Sequence, residues 1–365
     1  MRVVAISCVK NELDIIEAFV RHTLAGVDRL IVLDNGSTDG TRQILGQLQA
    51  EGLSLSVVDD TSPGHYQSLR MTALMRDHAL EKHHADWILP LDADEFLVGS
   101  DLQSVLAAGA APARALGLIW KSYVPDSSDD PNEINPVRRI RYRLRCEARQ
   151  TVKVVVPATL AIVPGVILDQ GNHQVRATTG IVSPVLTETE FLAHFPGRSA
   201  DQLAMKVAVK HVQYLGMADR DPEWGCHYRS MVARLRADPI GFAEAFRDMT
   251  LRYNLTDNDS FDPEVIADPI PYAGGDLRYT PAHIEPRAFS SILECAEEFA
   301  RLHAALTRRQ RELESAVAGL TDEIRSSDAA VRALRQSWTW RAGRVAIGPA
   351  RWAKHLLRRS LGSRP

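Results

Sequence analysis

The sequence predicts an α/β protein built on a parallel sheet with helices on both faces. Within the first hundred residues, four short apolar runs rich in β-branched residues alternate with three longer segments of helical period. Gly26 and Gly52 stand where the first two helices should end, as left-handed helix caps do. This alternation is typical of parallel strands joined by right-handed helical crossovers.

Each element has its own sequence pattern. The strand-like runs are RVVAISCV, RLIVLDN, LSLSVVDD and DWILPLDAD, and the helical ones are ELDIIEAFVRHTLAG, GTRQILGQLQAEG and YQSLRMTALMRDHALEKHH. Further on, ALGLIWKSYV, TVKVVV and ATLAIV are typical of strands, and SADQLAMKVAVKHVQYLGM is typical of a helix that Ser199 can cap. Residues 292–334 carry a heptad-like apolar seam, which favours either a short coiled coil or a helix docked on the preceding domain.

Composition narrows the class of protein. A chain of 365 residues with 45% hydrophobic residues can bury a sizeable core. Its four cysteines form neither a C-x-x-C pair nor a close Cys/His cluster, so they indicate no disulfide framework and no zinc site. The apolar run at the amino terminus is too short for a signal peptide or a membrane span. We therefore expect a cytoplasmic protein.

Polar residues collect at the ends of the predicted strands. They are Lys10, Asn11 and Glu12 after the first strand, Asp34 after the second, and Asp92, Asp94 and Glu95 after the fourth. Ligands of such sheets bind beyond the carboxyl ends of the strands. Two carboxylates at i and i+2 suit a hard cation such as Mg2+ or Mn2+ that keeps open positions for phosphate oxygens. The alternative is a solvated loop whose acids cap the next element.

The turn LDNGSTDGT is neither a P-loop nor a dinucleotide-binding fingerprint, because it lacks both glycine-rich patterns. Thr38 and Asp39 can instead cap the helix that begins near Thr41.

These motifs together resemble a known family. CVKNE, DNGSTDGT and DWILPLDADEF resemble family 2 glycosyltransferases, and within them the K-N-E and D-x-D-E-F branch that is similar to the family 92 (DUF23-like) enzymes. The similarity is firm over residues 1–100 and looser as far as residue 215. It implies a GT-A fold that takes a sugar from a nucleotide-diphosphate donor with the help of Mn2+ or Mg2+.

The resemblance implies a role for each motif residue. It places Lys10, Asn11 and Glu12 along the nucleotide, and Asp34 against the base or the ribose. Within the D-x-D pair, Asp92 would face the ribose and Asp94 would hold the metal through phosphate. Glu95 would support the loop.

Residues ahead of the fourth strand could also contact the donor. Gln67, Arg70 and Arg76 lie at helical spacing there. The functional interpretation is contact with the diphosphate or the donor sugar. The alternative is a solvated helix face, which we favour for Arg76.

Two later segments, GNHQV and HFPGRSADQLAMK, also resemble motifs of this branch. His194 is a candidate metal ligand beside Asp92 and Asp94, since imidazole suits Mn2+, although a lone histidine is more often an ordinary core or surface residue. Arg198 with Lys206 could neutralise the diphosphate leaving group.

His173 is the candidate general base that would deprotonate an acceptor hydroxyl, since its ordinary pKa of about 6.5 suits proton removal near neutrality. Asp169, Glu188 and Glu190 compete for this role. The usual E-D acceptor motif of family 2 is missing after the D-x-D strand, which leaves the base and the stereochemistry open. The resemblance implies direct displacement with inversion at the anomeric carbon.

The last thirty residues, 336–365, are basic: they hold seven Lys or Arg and no acid, with tryptophans among them. This favours a peripheral anchor on anionic lipid at the inner face of the membrane, where it would meet a lipid-linked acceptor. The segment SWTWR also resembles the S-x-S-W-R tails of bacterial polysaccharide and O-antigen glycosyltransferases. A solvated tail is the alternative, and nucleic-acid binding is disfavoured because no base-reading module is present.

The predicted domain organisation has three parts. They are a GT-A domain at 1–290 (nucleotide-binding half 1–100, acceptor half 101–253, linker 254–290), a long helix or coiled coil at 291–335 that would allow a homodimer, and the basic tail at 336–365.

Two rival functions stay open. One is a nucleotidyltransferase on the same fold, and the other is a non-catalytic scaffold that binds sugar nucleotides.

Overall fold

The computed structural model describes residues 1–62, 64–99, 102–108, 114–215, 217, 225–253, 255, 262–284, 288–343 and 345. The strands are β1 (Val3–Val9), β2 (Arg29–Asp34), β3 (Leu55–Asp59), β4 (Trp87–Pro90), β5 (Glu95–Val98), β6 (Leu116–Val124), β7 (Tyr142–Leu144), β8 (Val152–Pro157), β9 (Ile167–Leu168), β10 (Val175–Ala177), β11 (Gly180–Val182), β12 (Val185–His194) and β13 (Val265–Ala267). The α-helices are α1 (Ile16–Gly26), α2 (Thr41–Ala50), α3 (Gln67–Ala73), α4 (Leu102–Ala108), α5 (Pro136–Arg139), α6 (Ala158–Ala161), α7 (Ala200–Leu215), α8 (Cys226–Ala237), α9 (Pro239–Glu244), α10 (Phe246–Leu251) and α11 (Ala288–Gln336).

A mixed sheet forms the centre of the described structure. Its strands follow the order β13-β7-β6-β8-β4-β1-β2-β3, and β12 pairs with both β6 and β5. The four strands β4, β1, β2 and β3 are parallel, as the sequence predicts, while β8 joins β4 in the antiparallel direction. The predicted α/β fold class, with a long C-terminal helix, is confirmed.

The parallel strands are buried on both faces. Val3 and Ala5 of β1 pack with α1 and α2 on one face, whereas Val4 and Ile6 pack with α3 and the π-helical turn Leu74–Leu80 on the other. Alternate residues of a strand point to opposite faces, so both sets are apolar. Each fully buried large apolar side chain stabilises the fold by about 1.5–3 kcal/mol.

A second core lies among the helices α7 to α10. Its buried members include Leu203, Val207, Tyr228 and Met249. The predicted cap is present, since Ser199 Oγ accepts a hydrogen bond from the Gln202 N–H at 3.2 Å. This helical layer places one face of α7 over the edge of the sheet.

Two local predictions differ from the structure. The run ATLAIV was expected to be a strand, and this was wrong: β8 ends at Pro157 and the short helix α6 follows. A short apolar run has too few residues for its period to separate a strand from a helix. The interval 254–290, expected to be a loop or linker, contains β13, and its residues 278–280 donate hydrogen bonds to Glu17.

The chain divides into two compact units, residues 1–299 and 300–365. In the second unit, α11 exposes the apolar seam that the sequence shows, through Leu306, Leu313, Val317, Leu320, Ile324, Val331 and Leu334. Most of the basic tail (344 and 346–365) lies outside the described residues, so the membrane-anchor prediction stays a prediction. None of the described helices is both long enough and apolar enough to cross a bilayer.

Candidate active site

A cavity of about 410 Å³ lies at the carboxyl edge of the parallel strands, between the ends of β1 and β4 and one face of α7. The residues predicted from the sequence that line it are Lys10, Glu12, Gln67, Arg70, Asp92, Asp94, His173, His194 and Lys206. Asn11, Asp34 and Arg198 are not among the described residues that line the cavity. The sequence motifs therefore meet at one place, although three of the predicted residues lie behind the cavity wall.

Both carboxylate oxygens of Asp92 are engaged by the protein. Oδ1 accepts a hydrogen bond from Gln67 Nε2 at 2.7 Å, and Oδ2 lies 2.6 Å from Lys153 Nζ. Glu95 braces the loop: its side chain accepts from the Asp92 N–H at 2.9 Å and lies 2.9 Å from the same ammonium. Lys153 is fully buried, and a buried ammonium is stable only when such acids surround it.

Asp94 is the more buried acid of the pair, with 5% of its surface exposed. Its Oδ2 lies 2.6 Å from Lys206 Nζ, 3.7 Å from His194 Nε2 and 4.0 Å from Arg198 Nη1. Burial would raise the pKa of Asp94, but the neighbouring cations, Lys206 first, hold it far below its usual value. Asp94 is therefore a carboxylate at any physiological pH.

The donor set near Asp94 fits a divalent cation. Burial lowers the pKa of His194 to about 3, so its imidazole is neutral, which is the state that binds metals. Two ligands of one such cation lie about 3–4 Å apart, and the Asp94 and His194 atoms are 3.7 Å apart. Lys206 borders the same carboxylate oxygen and competes for it. Among the described residues, no three His, Cys, Asp or Glu side chains form a metal cage.

The K-N-E segment, residues 10–12, connects the end of β1 to the loop after β2 through hydrogen bonds. Lys10 Nζ donates to the carbonyl oxygens of Asn35 and Gly36 at 3.0 and 3.2 Å. Asn11, which has a positive φ of 58°, accepts from the Thr38 N–H at 2.9 Å. Lys10 thus borders the cavity, whereas Asn11 holds the loop in place.

The buried Arg198 and the partly buried Glu12 form an ion pair beside Asp94. Arg198 Nη2 lies 2.7 Å from Glu12 Oε2, and its Nε lies 2.6 Å from Asp14 Oδ2. Burial raises the pKa of Glu12 to about 7, although Arg198 opposes this shift. Arg198 is therefore already neutralised by acids of the same chain.

Asp34 stabilises a turn. Its side chain is buried and accepts from the Ser37 N–H at 3.0 Å, and the neighbouring Asp39 accepts from the N–H of Thr41, the first residue of α2, at 2.9 Å. The predicted contact of Asp34 with a base or ribose stays a prediction.

The helix before β4 contributes both lining and support. Gln67 links two parts of the lining: its Nε2 donates to Asp92, and its Oε1 accepts a hydrogen bond from the Gly171 N–H at 3.2 Å. Arg70 lies 2.7 Å from Asp60 Oδ2 and donates to the Gly64 carbonyl at 2.8 Å. Arg76 points away from the cavity to the Val166 carbonyl, so its contact there is structural.

His173 borders the cavity, and one of its two ring nitrogens is hydrogen-bonded to the backbone. Its Nδ1 lies 3.0 Å from the Val152 carbonyl oxygen, which fixes the proton on Nδ1 and leaves the Nε2 lone pair. Burial and Lys153 lower its pKa to about 4, so the imidazole is neutral at pH 7. Of its competitors, Asp169 pairs with Arg176 at 2.6 Å, and the Glu188 side chain lies outside the described residues.

Sequence reasoning missed several residues of this site. Trp120 stacks on His194 with ring centroids 4.1 Å apart, and Lys153 lies 5.6 Å from the centre of the Trp120 ring. The signal for Lys153 was available, because it is the single charge inside the apolar run TVKVVV. Lys210 also lines the cavity, one helical turn after Lys206. His65 comes from a loop and gave no signal.

Comparison with known proteins agrees with this geometry. Residues 4–160, which contain β1 to β4 and the D-x-D loop, match the family model described as glycosyl transferase family 2. The match covers a little less than half of the chain, and it supports the conclusion that the protein is a glycosyltransferase. No curated protein matched the sequence.

Several solved structures are similar over part of their length. A mannosyltransferase from Pyrobaculum calidifontis, in complex with GDP-Man and Mn2+, is 18% identical over 67% of this chain and 77% of its own, with a TM-score of 0.33. The glycosyltransferase GlyE of Streptococcus pneumoniae is 13% identical over 32% and 29%, with a TM-score of 0.24. A thymidylyltransferase from Bacillus anthracis, itself a provisional assignment, is 9% identical over 77% and 98%, with a TM-score of 0.26. Similarities this low carry no argument about donor or acceptor.

Proposed function

We propose that this glycosyltransferase moves a sugar from a nucleotide-diphosphate donor to a hydroxyl group of a glycan or lipid-linked acceptor, with inversion at the anomeric carbon. One observation supports the proposal most strongly. The cavity at the ends of β1 and β4 brings the D-x-D acids together with Lys206, Lys210 and two neutral histidines. A site with fixed charges of both signs suits a polar, anionic donor.

Asp94 and His194 are the residues that would hold Mn2+ or Mg2+. When bound, such an ion supplies positive charge that stabilises the departing nucleotide diphosphate. Lys206 adds a further charge at the same place, since its ammonium lies beside Asp94.

His173 is the proposed base, since it borders the cavity and the Val152 carbonyl holds its proton on Nδ1. Its lowered pKa makes it a weaker base than an ordinary imidazole. In the transfer, the acceptor oxygen bonds to the anomeric carbon while the bond from that carbon to the diphosphate oxygen breaks. The hydroxyl proton passes to the base, and the electron pair leaves with the diphosphate. An attack opposite the leaving group inverts the configuration.

The test is binding of UDP-, GDP-, CMP- and dTDP-sugars, measured by thermal shift with Mn2+ and with a chelator. We expect one nucleotide to stabilise the wild-type protein, more so with Mn2+, and Asp94→Asn to lose this stabilisation. Asp77→Asn, a change at an exposed acid on the helix before β4, should behave as wild type. If no sugar nucleotide binds the folded wild-type protein, the proposal is wrong.

The reaction products separate this function from its rivals. Release of a nucleoside diphosphate from a sugar nucleotide identifies glycosyl transfer, whereas release of pyrophosphate from a nucleoside triphosphate identifies a nucleotidyltransferase. Binding without turnover would favour the scaffold. The resemblance to the family 92 branch and the lipid anchor in the basic tail remain predictions.

A further inference from the structure

The cationic side chains of the cavity differ in how they are neutralised. Among the described lining residues they are Lys10, Arg70, Lys206 and Lys210. Three of them are bound to carboxylates of the same chain, at 3.2 Å for Lys10 with Glu298, 2.7 Å for Arg70 with Asp60 and 2.6 Å for Lys206 with Asp94.

Lys210 is the exception. Its ammonium lies 3.2 Å from His65 Nδ1, and no Asp or Glu of the described residues comes within 4.0 Å of it. Burial, together with Lys210 and Arg70, keeps the pKa of His65 well below its ordinary value, so the imidazole accepts a hydrogen bond from Lys210 without neutralising it. Lys210 is partly buried, and this burial lowers its pKa, while the charge of Asp92 opposes the shift. A partly buried cation without a carboxylate in contact is costly to the folded protein. Such a cost is typical of a site that receives an anion.

The position of Lys210 also suits the donor. It follows Lys206 by one turn on α7, so both side chains leave the same face of the helix. Two residues of the sheet edge act on Lys210 electrostatically: Asp92, just after β4, and Cys8, within β1. His65 packs edge-on against Tyr214 at 4.8 Å between ring centroids, which holds the imidazole beside the ammonium.

We propose that Lys210 binds the diphosphate of the donor, and that His65 positions its ammonium. This inference rests on the proposed function and deepens it. Arg70, Arg198 and Lys206, to which the sequence assigns diphosphate contacts, already have acidic partners. Lys210 therefore offers a positive charge that no Asp or Glu of the described residues contacts, and a diphosphate can pair with it.

The experiment compares affinities along a phosphate series. For the base that the wild-type protein binds, the dissociation constants of the nucleoside, the monophosphate and the diphosphate are measured by calorimetry, with Mn2+ and with a chelator. We expect Lys210→Met to weaken diphosphate binding about 10- to 100-fold, as loss of a charge-assisted hydrogen bond does, and to leave nucleoside binding unchanged. Lys210→Arg should retain most of the affinity. Lys82→Met, at an exposed lysine, is the matched control.

The outcomes distinguish the two proposals. If the wild-type protein binds no nucleotide, the proposed function fails. If it binds nucleoside diphosphates and Lys210→Met binds them equally well, the inference fails alone. A measurement on the wild-type protein covers the case in which the variants do not fold. An amine-reactive label on Lys210, followed by mass spectrometry, should be blocked by the nucleoside diphosphate and not by the nucleoside, and equal labelling would overturn the inference.

Discussion

At the scale of single residues, Glu17 carries a buried carboxylate whose hydrogen bonds stabilise the fold. It is fully buried on α1 and accepts hydrogen bonds from the backbone N–H groups of 278, 279 and 280 at 2.7–2.8 Å. Arg21 adds a contact at 2.9 Å. Burial would raise the pKa of Glu17, but these donors together lower it below its usual value. Glu17 thus fastens the segment before α11 to the first helix.

We predict that Glu17→Gln destabilises the protein by about 3 kcal/mol at pH 7, because three N–H groups and Arg21 lose their anionic partner. Since the folded pKa is the lower one, the carboxylate stabilises the fold above about pH 4.3, and this stability is lost as the pH falls through the folded pKa. Denaturant unfolding at pH 7 and pH 4 should show the gap between wild type and variant shrinking. Glu81→Gln, at an exposed acid, is the control, and a gap that stays constant with pH would contradict the assignment.

The acids at the end of β4 also show why a motif does not assign roles by itself. Asp92 and Asp94 stand two residues apart, yet each has its own lysine, from β8 and α7. Only Asp94 lies beside His194. The two carboxylates are therefore distinguished by partners that come from distant parts of the chain.

At the scale of elements, the first turns of α11 contact the loops that follow β1 and β2. Lys10 pairs with Glu298 at 3.2 Å, Asn11 Nδ2 lies 3.5 Å from Ser291 Oγ, and Thr38 donates to Glu294. Cys295 is buried in the same contact region. The start of α11 therefore borders the part of the edge to which the resemblance assigns the nucleotide.

We predict that Glu298→Gln tightens nucleotide binding, because Lys10 would then face the anionic ligand without a competing carboxylate. A partly exposed ion pair is worth at most about 1 kcal/mol, so the dissociation constant should fall about two- to fivefold. Calorimetry with the nucleotide that the wild-type protein binds measures the change. Glu323→Gln, at an exposed acid further along α11, should leave affinity unchanged. Weaker binding by Glu298→Gln would show that Glu298 positions Lys10 rather than competing for it.

At the scale of the whole molecule, the apolar cores belong to the first compact unit. The three buried clusters comprise residues between 3 and 253, and residues 300–336 of α11 are mostly exposed. A helix with an exposed heptad-like seam is stabilised when it pairs with another copy. The predicted homodimer would bury this seam.

We predict that a chain ending at Phe299 keeps the melting temperature and nucleotide affinity of the full chain but loses its self-association. The reason is that the truncation removes exposed seam residues and no core residue. Light scattering coupled to gel filtration measures the mass of both chains, and thermal unfolding measures stability. A full chain that is monomeric at micromolar concentration would contradict the coiled-coil interpretation. A truncated chain that fails to fold would show that α11 beyond Phe299 stabilises the first unit.

The sequence by itself determined the local features of this protein. The order of strands and helices as far as β4 and the parallel sheet follow from apolar periodicity, because a strand or helix buried on defined faces must repeat apolar residues at its own period. The strand β5, just after the D-x-D acids, was not predicted. The helix α7 could be located for the same reason, and the D-x-D acids from their position directly after the fourth predicted strand. Ser199 could be assigned as a cap from its residue type alone.

Only the tertiary structure decided which charges remain available for a ligand. Arg70, Arg198 and Lys206 look like phosphate-binding residues in the sequence, but their acidic partners come from segments up to 186 residues away. Lys210 looks like any lysine on a helix, yet the fold partly buries it, with no Asp or Glu of the described residues in contact with its ammonium. Charge pairing depends on distances between distant segments, and these distances follow from the packing of the chain rather than from local pattern.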